Sequence, residues 1–126
     1  KELLKTLPKW YIVDMGFRNL LFGYRDADRG HILENIVYLE LRRRGYTVYI
    51  GKVGTKEVDF IADSQSEKLY IQVTETMLDE NTRKRELDSL RKIPDNYPKM
   101  VLTLDRNFLT SEDGIEIRNL IDWLLA

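Results

Sequence analysis

The chain has 126 residues, 43% hydrophobic and 33% charged, with 20 basic and 21 acidic side chains and a net charge of −1. A single domain of this length buries roughly two thirds of its unfolded surface, enough for a core without disulfide or metal staples. Zero cysteines exclude a disulfide framework and thiolate metal sites, the lone His31 excludes a His₂ or His₃ site within one chain, and the near-neutral balance excludes a bulk basic field for nucleic acid.

Residues 1–8 are charged, carry Pro8 and read as a linker into one domain over residues 9–126. A first residue of Lys1 rather than Met reads as a fragment cut from a longer protein, or a processed one. No signal-peptide pattern opens the chain, and no apolar run approaches the ~20 residues of a membrane span. These features set the expectation of a cytoplasmic protein. Residues 10–13 form a short apolar run suited to an edge strand. Asp14 can cap a short helix over residues 15–22, which Gly23 ends.

The clearest helix covers residues 29–44, with Asp28 as its N-cap. Ile32, Leu33, Ile36, Val37, Leu39 and Leu41 recur at helical spacing, and Gly45 supplies the C-terminal stop. Arg42, Arg43 and Arg44 complement the negative end of the helix dipole. At 100° per residue Glu40 falls in the middle of the apolar face. A buried lone carboxylate is costly, so an ion pair with Arg43 or Arg44 is the favoured reading. The alternative is that Glu40, rather than Glu34, points into a pocket.

Three strand-like runs follow, over residues 46–53, 57–62 and 69–74, separated by the turn signals at 54–56 and 63–68. A polar helix capped by Asp79 is expected over residues 79–93, with a thin apolar stripe of Leu87, Leu90 and Ile93. Residues 100–104 read as a buried parallel strand. The tail, 115–125, suits a short strand and a last helix. The order is helix, three strands, helix, strand: an α/β fold with a mixed sheet flanked by helices.

Four positions share a chemical pattern. Glu34 lies on the first long helix at the edge of its apolar stripe, and Asp59 interrupts the apolar strand EVDFIA. Gln72 and Thr74, two apart on the third strand, point to one face, with Ile71 and Val73 on the other. By alternation, Asp59 should share a face with Glu57 and Ile61, opposite Val58, Phe60 and Ala62.

With these residues in place, the chain resembles the PD-(D/E)XK, or restriction-endonuclease-like, nucleases and their α-β-β-β-α-β core. In the archaeal Holliday-junction resolvases and their relatives, a helix glutamate is followed by leucine seven residues on and glycine four later. Glu34, Leu41 and Gly45 stand at that spacing. Asp59 matches the strand aspartate, and Gln72-Val73-Thr74 occupies the place of acid-x-lysine. A narrower likeness joins the runs YIVDMGFRNLL, ILENIVYLELRRRGY, EVDFIAD and IQVTETMLDENTRKRELDSLRKIPDNYPKMVLTLD. Over residues 10–125 they resemble the C-terminal domain, of unknown function, of prokaryotic AAA-type ATPases. No GxxxxGK[ST] loop occurs, so the resemblance assigns ATP chemistry to an N-terminal ATPase domain outside this sequence.

The resemblance makes Glu34, Asp59, Gln72 and Thr74 the residues of a vestigial catalytic site, with Glu34, Asp59 and Gln72 as the metal ligands if there are any. Active members use carboxylate-held Mg²⁺ to generate the nucleophile and a lysine to orient water and neutralise phosphate charge. Thr74 does neither job well, and the Gln72 amide contributes no charge. No cofactor is therefore expected, and Mg²⁺ belongs only to an active site completed by a relocated lysine, from Lys52, Lys56, Lys68 or Lys84. Arg42 and the run Arg83, Lys84 and Arg85 are candidate nucleic-acid contacts, although arginine runs are more often solvated helix faces. The readings are an inactive accessory module that binds nucleic acid or protein, an active nuclease with a relocated lysine, and a pure protein-interaction domain.

Overall fold

The computed structural model describes residues 4–5, 29–53, 56–106 and 110–126; the side chains of residues 4–5, 52–53 and 56 fall outside that description. Seven strands are present among these residues: β1 (Leu4–Lys5), β2 (Thr47–Val53), β3 (Lys56–Asp63), β4 (Lys68–Thr74), β5 (Lys99–Thr103), β6 (Ser111–Glu112) and β7 (Ile115–Asn119). Three helices accompany them: α1 (Arg29–Arg43), α2 (Glu80–Arg91) and α3 (Leu120–Leu125). The strands form one mixed sheet in the order β1-β2-β3-β4-β5-β7-β6. β1 to β4 pair antiparallel, β5 is parallel to both β4 and β7, and β6 returns antiparallel on β7.

Parallel neighbours require a crossover, and α2 provides it between β4 and β5. Its N-cap is Asp79, whose carboxylate accepts the Thr82 N–H at 2.9 Å. α2 covers one sheet face, where Leu87, Leu90 and Ile93 meet Val58, Ile61, Tyr70, Val101, Ile115 and Ile117. α1 and α3 cover the other, where Leu33, Val37, Leu41, Leu120 and Trp123 meet Val48, Phe60, Ile71, Val73 and Leu102. A sheet covered on both sides needs strands apolar on both sides, hence the continuous buried runs at 70–73 and 100–103. Each fully buried Leu, Ile, Val or Phe contributes about 1.5–3 kcal/mol of burial free energy.

The mixed α/β architecture, one mixed sheet flanked by helices, follows the expected pattern. Gly45 ends α1 with φ of 96°, a left-handed backbone that L side chains resist. One expectation on β3 is corrected. Tyr49 pairs with Ile61 but Gly51 with Val58, so β3 carries an extra residue opposite Ile50. This bulge breaks the alternation, and Val58 joins Ile61 on the α2 face rather than Phe60 and Ala62 on the other.

Two elements were not anticipated. Leu4–Lys5, inside the stretch read as a linker, pair with Lys52 and Gly51 of β2. Asp113 and Gly114, with φ of 54° and 79°, form a two-residue turn joining β6 to β7. Arg91 of α2 docks on that hairpin, donating to Asp113 at 2.8 Å and to Glu112 at 3.0 Å. The expected strand at 10–13, the helix at 15–22 and the Asp28 cap lie outside the described residues. No helix among the described residues is long and apolar enough to cross a membrane.

Candidate functional site at the β3–β4 fork

The β3–β4 ladder runs from Asp63 opposite Lys68 to Phe60 opposite Ile71, and there its backbone register ends. At the next position side chains replace the ladder. The Asp59 backbone N–H donates to Gln72 Oε1 at 2.6 Å, and the Val73 N–H donates to Asp59 Oδ2 at 2.9 Å. The two strands are bridged by reciprocal side-chain-to-backbone bonds beside the β3 bulge. Bulges of this kind re-aim side chains and terminate pairing.

Gln72 is buried, with 4% exposure, between β4 and α2. Its amide is used at both ends: while Oε1 accepts from Asp59, Nε2 donates to Glu86 Oε1 at 3.1 Å. Glu86 belongs to α2. Burial pushes its carboxyl above the ordinary carboxylate range; Arg85 opposes the shift and the nearby charge of Glu34 adds to it. The structure brings Asp59 and Gln72 together and adds Glu86, while Glu34 lies on α1, the helix that covers the other face of the sheet. Arg85 forms an ion pair with Glu86 at 3.7 Å.

Thr74 is not turned to this cluster: its hydroxyl donates to the Thr76 carbonyl at 3.2 Å, within the turn that follows β4. That turn is held by Asp105, which accepts from the Thr76 hydroxyl at 2.8 Å and the Met77 N–H at 2.7 Å. Lys68 sits at the far end of β4, its Nζ 5.2 Å from the centre of the Tyr97 ring. Lys84 is exposed on α2, and the side chains of Lys52 and Lys56 lie outside the described residues.

The Mg²⁺ implied by the resemblance does not fit the described donors as they stand. Asp59 Oδ2 and Gln72 Oε1 are engaged by main-chain amides. Among the described residues no group of three or more His, Cys, Asp or Glu side chains could hold a metal ion.

The basic candidates are dispersed. Arg42, on α1, donates to the Tyr38 hydroxyl at 3.2 Å and lies over that ring. Arg83 faces Glu112 of the hairpin at 3.9 Å. Arg42 and the 83–85 run lie on helices that cover opposite faces of the sheet. Glu40 is the structural ion pair favoured from sequence. Arg43 bonds it at 2.9 and 2.6 Å, and Arg44 at 2.7 Å. The Arg43 hydrogen bond, with Arg44 in support and burial opposing, lowers its pKa to about 2. Arg44 also stacks over Trp123, 4.4 Å from the ring centre, and donates to its carbonyl at 2.6 Å, pinning α3 to α1.

The stretch NYPK is structural too: Lys99 Nζ donates to the Asp95 and Tyr97 carbonyls at 2.7 and 3.0 Å, and Tyr70 donates its hydroxyl to Asp95. Glu86 is the fork residue that sequence reasoning missed. Its signal was there, because Glu86, Leu90 and Ile93 stand at i, i+4 and i+7, placing the acid on the rim of the buried stripe.

No family model matches the chain, and no solved structure matches it. A protein of Haemophilus influenzae is 46% identical over 125 residues, covering 99% of this chain and 30% of that protein. A protein of Methanocaldococcus jannaschii is 36% identical over 91 residues, covering 69% of this chain and 20% of its own length. Both are described only as uncharacterized proteins. The chain therefore spans less than a third of the length of these curated relatives, and resembles one part of each.

Proposed function

We propose that this domain is a nuclease-like module whose catalytic site has become structural, serving as the C-terminal accessory domain of an AAA-type ATPase in the cytoplasm. The observation that carries the proposal is the use made of positions 72 and 74. Both ends of the Gln72 amide are satisfied inside the protein, and the Thr74 hydroxyl caps a turn. At the two places where the resembled nucleases carry an acid and a lysine, this chain has groups that hold the fold. The mixed sheet covered by helices on both faces and the bonds between Asp59 and β4 support the likeness. The short span of the relatives' length supports a part within a larger chain.

Nucleic acid, if it is the partner, sits on the exposed Lys84 and Arg85 of α2. Incubation with Mg²⁺ or Mn²⁺ and single- and double-stranded DNA and RNA tests the proposal. No turnover above the Asp59→Ala variant is expected, and turnover that this substitution abolishes would overturn it. Oligonucleotide binding that weakens with salt and with Lys84→Ala and Arg85→Ala identifies nucleic acid as the partner. Its absence leaves a protein partner.

A further inference from the structure

We infer that Gln72 is a neutral three-way latch that joins β3, β4 and α2, and that an amide is required there because its neighbours are acids. This rests on the fork geometry and deepens the reading of the site as structural. Gln72 belongs to β4, accepts from the β3 backbone at Asp59, and donates to Glu86 of α2. The β3–β4 ladder stops at Phe60 and Ile71, so this side chain and Asp59 carry the connection beyond it. Only a group with an acceptor at one end and a donor at the other satisfies both neighbours. A carboxylate keeps the bond from Asp59 but turns a carboxylate–amide contact into carboxylate facing carboxylate. Burial leaves little solvent screening of that repulsion at a residue 4% exposed.

The pairing has a property that a packing role lacks: it can be inverted. In the double variant Gln72→Glu/Glu86→Gln the carboxylate moves to β4, where it accepts from both Asp59 N–H and the new amide on α2. The charge count is unchanged. In the single variant Glu86→Gln the latch persists, because the new amide oxygen still accepts from Gln72 Nε2.

The test is a four-member cycle of wild type, Gln72→Glu, Glu86→Gln and the double variant, followed by thermal unfolding at pH 7 and fixed salt. Gln72→Glu alone is expected to lower the midpoint by on the order of 8 °C, or to prevent folding. Glu86→Gln is expected to stay within about 2 °C of wild type. The double variant is expected to regain more than half of what Gln72→Glu loses. A Gln72→Glu that does not fold while the double variant does supports the latch equally. A Gln72→Glu as stable as wild type, or a double variant no better than Gln72→Glu, overturns the latch. Because the readout is stability, failure here is separable from failure of the nuclease-like reading, which is judged by cleavage and binding.

Discussion

Replacing Arg44 by alanine is the perturbation whose cost can be worked most fully from the structure. One guanidinium bonds the Glu40 carboxylate at 2.7 Å, donates to the Trp123 carbonyl at 2.6 Å, and stacks on the Trp123 indole at 4.4 Å. The Arg44 and Glu40 side chains are 25% and 12% exposed, so the pair is screened but not fully solvated. An ion pair of this kind contributes about 1 kcal/mol. The charge-assisted bond to the carbonyl contributes about 1.5 kcal/mol, and a cation–π contact against a buried ring about 1 kcal/mol. The three share one side chain and are not additive, so Arg44→Ala should cost about 2–3 kcal/mol. For a domain of this size that is a fall of about 8–12 °C in the unfolding midpoint. Arg44→Lys should recover less than half, because an ammonium offers the ion pair without the planar stack. Urea unfolding followed by circular dichroism measures both. An Arg44→Ala variant within about 0.5 kcal/mol of wild type would show that α3 is held by apolar packing alone.

Glu40→Gln should cost about 1 kcal/mol at pH 7, a figure already reduced for solvent screening. The folded-state pKa of Glu40 lies below its ordinary value, so its contribution is full above about pH 4.5 and fades as pH falls towards about 2. Midpoints of wild type and Glu40→Gln should therefore converge over that interval, and a gap constant with pH would contradict the ion pair. Gly51→Ala should destabilise by about 1–3 kcal/mol. A Cβ there meets Ile61 Cδ1 at 2.5 Å and Cγ1 at 2.9 Å, and Ile61 is fully buried beside the bulge. Gly114→Ala meets no neighbouring atom but must hold φ of 79°, so about 1 kcal/mol is expected from backbone strain alone. Chemical denaturation reads both glycine variants.

The helices and most strands were legible because their signals are local. Asp79 caps α2 and Gly45 ends α1 where the sequence placed them, since an oxygen acceptor and an achiral Cα are needed at those points whatever surrounds them. The bulge was not legible: Glu57 to Phe60 alternates polar and apolar, and only pairing with β2 shows that one residue is surplus. That surplus set the face of Val58 and could not come from one strand read alone. The β6–β7 hairpin was missed although Asp113-Gly114 is a strong turn signal, because two-residue strands show no alternation. Glu86 was missed because α2 looked like an exposed helix with a thin stripe. The partner of Glu86, the Gln72 amide, lies 14 residues away in sequence.

The central claim is that Asp59 Oδ2 and Gln72 Oε1 serve the protein's own amides rather than a cation. Calorimetric titration with Mn²⁺ tests it most directly. No saturable binding is expected into the millimolar range, with the same flat isotherm for wild type and Asp59→Ala. One Mn²⁺ bound per chain, lost in Asp59→Ala, would contradict it.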